Sequence, residues 1–422
     1  MSKIFINWNE ENFNDPLKNK EIIEKIRSLN FEGSENLYFD DIAINYSING
    51  IVDIIKYCNN IYKNGVEHLI VWASQTTQKL INSCLDFVLG KNNFHNENKI
   101  KLHFIDGYDK LTITKQKLDK YFKEDKNNKI AIIFLDGFIE LNEGKINQMI
   151  NLILSKFSEK SSDFLIKKMI YFIGKNEWFQ HLKKHKIPNN NIFIVSSDIN
   201  ENYSFFSEIS LIILATQGIN IKKLVDGYKS NSTKVLNHDL YFNSALKLAF
   251  YLNQDISKSK NGKINALRNI NLFVSYDSSL NISSNLFSHL YNPLTIKQNT
   301  FSDYAFFPTD ISKIGQSVLS NKIPKLIIYL TFKQNNFDFQ SSSIIDEDDL
   351  LSNFEHVTLN QIKNASLNAF NDYLLSFNEA TDVLRIDFEN QSEEVFGEFI
   401  SILYWSKIFY GIINNINPFK TK

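Results

Sequence analysis

The stretch HLIVWASQTTQKLINSCLDFVL, residues 68–89, reads as one strand followed by one helix. Residues 68–72 are a short apolar burst. Residues 77–89 then place Leu80, Ile81, Cys84, Leu85 and Val88 at helical spacing. Working outward, further bursts predict strands at 102–105, 130–134, 169–173 and 192–195, with an amphipathic helix at 143–157. Strands alternating with helices indicate a mainly parallel sheet covered by helices. Residues 1–45 are thus expected to be an N-terminal arm and 46–230 a first α/β subdomain.

The second half repeats the grammar. After the polar segment 227–234, a second α/β subdomain is expected over 237–422. It has helices at 240–252, 359–377 and 393–413, and strands at 271–276, 325–331 and 383–387. Residues 255–263 read as a charged, Ser- and Lys-rich loop, and QSSSIIDEDDLLS, 340–352, as an exposed acidic one. No solenoid-type repeat is visible.

Composition narrows the function classes. The 422 residues suffice for two medium domains with substantial cores. Lys+Arg 46 against Asp+Glu 47 gives a net charge of −1, so no global field favours nucleic acid or an anionic membrane. No apolar run of about 18 residues exists, and MSKIFINWNEENF lacks the basic-then-apolar order of a secretory signal. A cytoplasmic location is the expectation. Cys58 and Cys84 are too few for a disulfide framework or a zinc site and are expected as buried, inert thiols. No metal-binding spacing, Ser-His-Asp set or Walker-type loop is present, so no metal and no cofactor are expected.

Two segments carry a resemblance. FPTDISKIGQ, 307–316, is similar to the pattern T-D-L-H-S-x-G-Q, and the chain closes on a long apolar helix and INPFKTK, 416–422, similar to a helix ending in N-P-F-D-Q-P-G-V-E. Both patterns belong to the glucose-6-phosphate isomerase family, bacterial type. Thr309, Asp310, Gly315, Gln316, Asn417, Pro418 and Phe419 match. SEISLIILATQGINIKKLVDGYKS, 207–230, and LFVSYDSSLNISSNLFSHLYN, 272–292, resemble two further family segments in the right order. The resemblance spans about 37–419. It implies two sugar-isomerase (SIS-type) subdomains, each a mainly parallel five-stranded sheet flanked by helices.

The reactive positions depart from the family. Its ring-opening histidine falls on Ser312, and its proton-shuttling glutamate falls on Pro293, with Asn292 and Leu294 on either side. The arginine of G-G-R-Y-S falls on Asn202, while Tyr203 and Ser204 are retained. The catalytic lysine has no counterpart, since only Lys420 and Lys422 follow Pro418. The phosphate loop S-K-S-G-T-T-T aligns with Phe134 to Glu140. There Gly137 alone survives, Asp136 and Glu140 add negative charge, and Phe138 and Ile139 read as core. The glycine turn G-I-G-G-S aligns with Val71, Trp72, Ala73, Ser74 and Gln75, where Trp72 either packs in the core or lines a different pocket. His289 matches a family glutamine near the sugar.

The resemblance therefore implies a degenerate substrate cleft formed by Trp72, Ser74, Asp136, Gly137, Phe138, Tyr203, Ser204, His289 and Gln316. No catalytic residue is expected at Pro293, Ser312 or Asn202, and a sugar phosphate is not expected to be held. The leading expectation is a protein that has lost catalysis and works as a structural or assembly component, as a homodimer or on a protein partner. Two alternatives stay open: an isomerase with rearranged residues such as His289 and Lys313, and a sugar-phosphate-binding sensor.

Overall fold

The computed structural model describes residues 2–7, 15–91, 100–106, 111–124, 129–135, 169–174, 186–195, 200–253, 268–295, 299–334, 356–377 and 380–420, with isolated positions elsewhere. The chain divides into two compact units, Glu35–Leu85 with Asn92–Val225, and Met1–Ser34 with Asp86–Lys91 and Asp226–Lys422. Each holds one five-stranded sheet.

The unit of the N-terminal half carries β2 (His68–Ala73), β3 (Lys101–Asp106), β4 (Ile130–Leu135), β5 (Ile170–Gly174) and β6 (Ile192–Ile194), ordered β3-β2-β4-β5-β6 and all parallel. All of β4 and β5 is buried, as expected where helices cover both faces. That double burial is why these strands read as unbroken apolar bursts. On one face Ile70, Trp72, Ile105, Ile132, Phe134 and Phe172 form the core. Helices α2 (Tyr38–Asn49) and α3 (Ile51–Lys63) precede the sheet, and α4 (Gln75–Leu89) and α5 (Leu111–Glu124) follow β2 and β3. The Tyr57 hydroxyl of α3 donates toward the carbonyls of Phe172 (3.1 Å) and Asn191 (2.7 Å). Helix α6 (Glu208–Thr216), packed on α3, is almost wholly buried. The helix expected at 143–157 lies almost entirely outside the described residues.

In the other unit the order is β1-β10-β9-β7-β8. Strands β7 (Ile270–Ser275), β8 (Phe301–Phe306), β9 (Lys325–Phe332) and β10 (Thr381–Phe388) run parallel. Strand β1 (Ile4–Asn7) adds antiparallel at the edge, with Ile4 opposite Phe388 and Asn7 opposite Arg385. The first residues, expected within an arm, thus complete this sheet. Helix α1 (Pro16–Arg27) starts on Asp15, whose carboxylate accepts from the Leu17 and Lys18 amides at 3.1 and 3.2 Å, with Pro16 in the first turn.

Helices α7 (Ile221–Ser232), α8 (Ser244–Leu252), α9 (Asn281–Thr295), α10 (Gln316–Ser320), α11 (Leu359–Phe377) and α12 (Glu393–Asn414) complete the set described here. Helix α12 is buried continuously from Val395 to Ile412. Ser392 caps its start, Glu393 and Glu394 sit in its first turn, and Asn415 ends it in the left-handed conformation at φ 52°. Gly227 of α7 meets it so closely that a Cβ would lie 1.9 Å from the Glu394 carbonyl oxygen. Among the described residues no helix is long and apolar enough to cross a membrane.

Candidate functional site

In the first sheet the chain passes from β2 outward to β3 and then returns to β4 on the other side of β2. Such a reversal opens a crevice at the carboxyl ends of the strands, the usual ligand position in this architecture. Ser74 stands there, between the end of β2 and the start of α4, and is buried. Its Oγ accepts from the Thr77 amide at 3.2 Å and lies 3.1 Å from Thr77 Oγ1. Thr76 and Thr77 are buried beside it. Gln75 donates to Asp106 at 2.7 Å, tying the start of α4 to the end of β3.

A carboxylate enters this cluster. Residues Glu201–Tyr203 form one helical turn, started by Asn200, whose side chain accepts from the Asn202 amide at 3.1 Å. The turn directs Glu201 onto Ser74, whose hydroxyl donates to Glu201 Oε1. Burial pushes the Glu201 carboxyl above its ordinary range, and hydrogen bonds from Ser74 and Thr76 oppose that push without cancelling it. Asn202, Tyr203 and Ser204 are buried behind it, Tyr203 against Phe39 with ring centroids 4.8 Å apart. The Ser204 hydroxyl donates to the Glu201 carbonyl at 2.8 Å.

The structure thus brings Ser74 against Glu201, the residue that precedes Asn202, Tyr203 and Ser204 in the chain. Trp72 takes the first of its two open roles: it is buried in the sheet core, edge-on to Phe134 at 5.1 Å. Asp136, Gly137 and Phe138 lie outside the described residues. Glu201 went unremarked in the sequence, although a carboxylate where the family has glycine was a readable signal.

In the other unit, Ser312 and Lys313 lie exposed in the wide turn Ile311–Gly315 after β8, followed by exposed Gln316. The Ser312 hydroxyl donates to the Thr309 carbonyl at 3.2 Å. The retained residues around it do structural work: Asp310 accepts from the Phe306 amide at 2.8 Å to close the turn, and a Cβ on Gly315 would press on Ile311 at 3.0 Å. Asn417 likewise accepts from the Phe419 amide at 2.9 Å, seating the buried Phe419 ring.

His289 and Pro293 both belong to α9 and are half-buried. Beside Pro293, the Asn292 amide donates to the Ser302 carbonyl at 2.8 Å and accepts from the Ser302 amide at 2.7 Å. At the carboxyl end of β7, Asp277 pairs with Lys363 at 2.8 Å and accepts from the Ser279 hydroxyl at 2.7 Å. Burial pushes the Asp277 carboxyl up, but Lys363 and Ser279 outweigh it and hold it below its ordinary value.

Both cysteines are buried, and burial raises the Cys58 thiol to about 12, which leaves it protonated and inert at neutral pH. Among the described residues no group of three or more His, Cys, Asp or Glu is arranged to hold a metal ion.

Comparison with known proteins agrees with this picture. No protein-family profile matches the chain. It is 22% identical to the glucose-6-phosphate isomerase of Mycoplasmopsis pulmonis over 424 residues, covering 97% of this chain and 93% of that protein. It is also 22% identical to the Mesomycoplasma hyopneumoniae glucose-6-phosphate isomerase over 400 residues, 93% of this chain and 87% of that one. The fold is similar to the crystal structure of a glucose-6-phosphate isomerase from Chlamydia trachomatis, with TM-score 0.73, 11% identity and coverage of 100% and 86%. A hypothetical protein from Thermus thermophilus matches with TM-score 0.74, 14% identity and coverage of 96% and 91%. Similarity along nearly the whole chain, with a five-stranded, mainly parallel sheet in each unit, is consistent with a divergent member of the glucose-6-phosphate isomerase family.

Proposed function

We propose that this chain no longer interconverts glucose 6-phosphate and fructose 6-phosphate, and that it serves as a structural or assembly component in the cytoplasm. Moving a proton between C1 and C2 needs a base within reach of the carbon, and general base catalysis is worth about 10²- to 10⁴-fold. The observation that carries the reading is the end of α9. The family's glutamate position holds Pro293, the preceding Asn292 is engaged on both sides by the Ser302 backbone, and the following Leu294 is buried. None of the three can take up a proton at neutral pH.

The losses elsewhere point the same way. Asn202 offers no cation to a developing enediolate, and Ser312 donates to a backbone carbonyl instead of presenting an imidazole. What survives of the family pattern, Asp310, Gly315, Asn417 and Phe419, holds turns and core together. A surface role fits a chain that keeps its frame and drops its reactive groups. Self-pairing or docking on a protein partner follows, with neither nucleic acid nor membrane as the target.

A coupled assay with fructose 6-phosphate tests the catalytic half, with turnover expected at background. Turnover that disappears on His289→Ala or Lys313→Ala would establish a rearranged isomerase instead. Sedimentation tests the assembly half: a compact monomer that captures no protein from lysate would remove it.

A further inference from the structure

Strand β8 forms one border of its sheet, with β7 on its inner side and, among the described residues, no strand on the other. Such a border presents a row of main-chain donors and acceptors with which an extended segment of another chain can pair. Along a paired strand, alternate residues turn their main-chain groups toward the same neighbour. The Phe301 amide donates to the Asn269 carbonyl at 3.0 Å and the Phe307 amide to the Ser275 carbonyl at 2.9 Å, so the odd-numbered residues face β7. The amides of Ser302, Tyr304 and Phe306 therefore face outward. Each of them meets a side-chain oxygen. Ser302 donates to Asn292 Oδ1 at 2.7 Å, Tyr304 to Asp303 Oδ1 at 2.8 Å and Phe306 to Asp310 Oδ2 at 2.8 Å. Two outward carbonyls are engaged as well: that of Ser302 accepts from Asn292 Nδ2 at 2.8 Å, and that of Phe306 from the Asp310 amide at 2.7 Å. The caps come from helix α9, from the strand itself and from the turn that follows it.

We infer that Asn292, Asp303 and Asp310 stand in for a missing neighbour and close the β8 border to strand addition by another chain. An incoming strand has to displace these bonds before making its own, so the exchange gains little while the incoming segment loses its conformational freedom. Two of the three caps are carboxylates, which accept from an amide more strongly than the peptide carbonyl that would replace them. A partner that meets this border is thereby confined to side-chain contacts. The inference goes beyond the assembly reading and does not rest on it, since it excludes one mode of pairing whichever surface an assembly uses.

Amide hydrogen exchange of the full chain reads the caps one at a time. In the wild type the Ser302, Tyr304 and Phe306 amides are expected to be protected, and Asp303→Ala should speed exchange at Tyr304 by about tenfold while leaving Ser302 as it was. Sedimentation velocity over a concentration series reads strand addition itself. Asp303→Ala with Asp310→Ala opens two successive outward amides and is expected to give species that grow with concentration, together with an intermolecular-sheet band in the infrared spectrum. Asp303→Asn with Asp310→Asn keeps an acceptor oxygen at both places without the charge and should sediment as the wild type does. Should Asp310→Ala prevent folding, Asp303→Ala with Asn292→Ala opens the other adjacent pair and gives the same readout.

Wild-type amides that exchange as fast as those of open loops, or folded alanine pairs that keep the wild-type size distribution, would overturn the inference. So would an asparagine pair that associates as the alanine pair does, because charge and not the capped amides would then keep strands away. Isomerase turnover and the wild type's own state of association are separate measurements. Failure here leaves the non-catalytic and assembly readings standing, and failure of either of those leaves the comparison of variants interpretable.

Discussion

Asn292 grips Ser302 by both backbone polar groups, donating to its carbonyl at 2.8 Å and accepting from its amide at 2.7 Å. This bidentate clasp fastens the last turn of α9 to the start of edge strand β8. Ser302 is buried, so truncating Asn292 strands two backbone groups away from water. Asn292→Ala is expected to cost about 2–3 kcal/mol. Urea denaturation reads the loss, and an unchanged midpoint would show that the clasp contributes nothing.

Gly227 carries a steric requirement. An added methyl would lie 1.9 Å from the Glu394 carbonyl oxygen and 2.7 Å from its carbon, both backbone atoms that cannot swing away. Gly227→Ala is expected to separate α7 from the start of α12 and cost about 3 kcal/mol or more, at the upper end of overpacking effects. Thermal unfolding checks it, and a melting temperature equal to wild type would contradict the contact.

Lys407 lies wholly inside α12's packing, and burial pushes its amine down to about 7. The unfolded chain holds its proton up to the ordinary value of 10.5. Between about 7 and 10.5 the unfolded state therefore binds more protons, and stability must rise with pH across that window. Below it the full penalty of burying the amine is present. Lys407→Met is expected to stabilise the protein at pH 7 by about 1–3 kcal/mol, since an apolar chain of similar volume removes the desolvation cost. The variant should also flatten the rise between pH 7 and 10.5, which chemical denaturation at a series of pH values measures.

Glu201 has the opposite slope. Its folded carboxyl is raised above the ordinary value, so between the two values the folded state holds the proton that the unfolded state has released. Its contribution is fully present below the ordinary glutamate value and is lost as pH rises through the raised one. Glu201→Gln should remove that segment of the pH–stability curve and leave the alkaline rise from Lys407 untouched. Guanidinium unfolding of both proteins across the acid range decides the matter, and superimposable acid limbs would refute the assignment.

Much of this fold could be read from residue order alone, because doubly covered strands such as β4 and β9 are unbroken apolar runs and α11 has helical spacing from Leu359 to Phe377. Strands β1 and β8 were not legible. The first has four residues and pairs with Phe388, far away in the sequence. The second, FSDYAF, sits at the sheet edge with Phe301, Asp303 and Tyr304 exposed, which erases both alternation and a continuous burst. Trp72 illustrates a different limit. In a strand buried on both faces, periodicity does not say which side a ring occupies, and only the packing against Phe134 fixes it. That Pro293 carries no ionisable group was plain from the letters. The Ser74–Glu201 contact was not, since no local pattern joins side chains so remote along the chain.

The short first strand has a consequence for handling the protein. By pairing antiparallel with the end of β10, residues 4–7 cover a run of main-chain donors and acceptors that an open sheet border would otherwise present to solvent. Ser2 and the Lys3 amide hold the strand there through the buried Glu398 carboxylate, at 2.5 and 3.0 Å. A bulky tag or a clipped leader at this end would peel away that cover and leave β10 able to recruit a strand from another molecule. Fusions placed at the opposite terminus leave this short edge strand in place over β10.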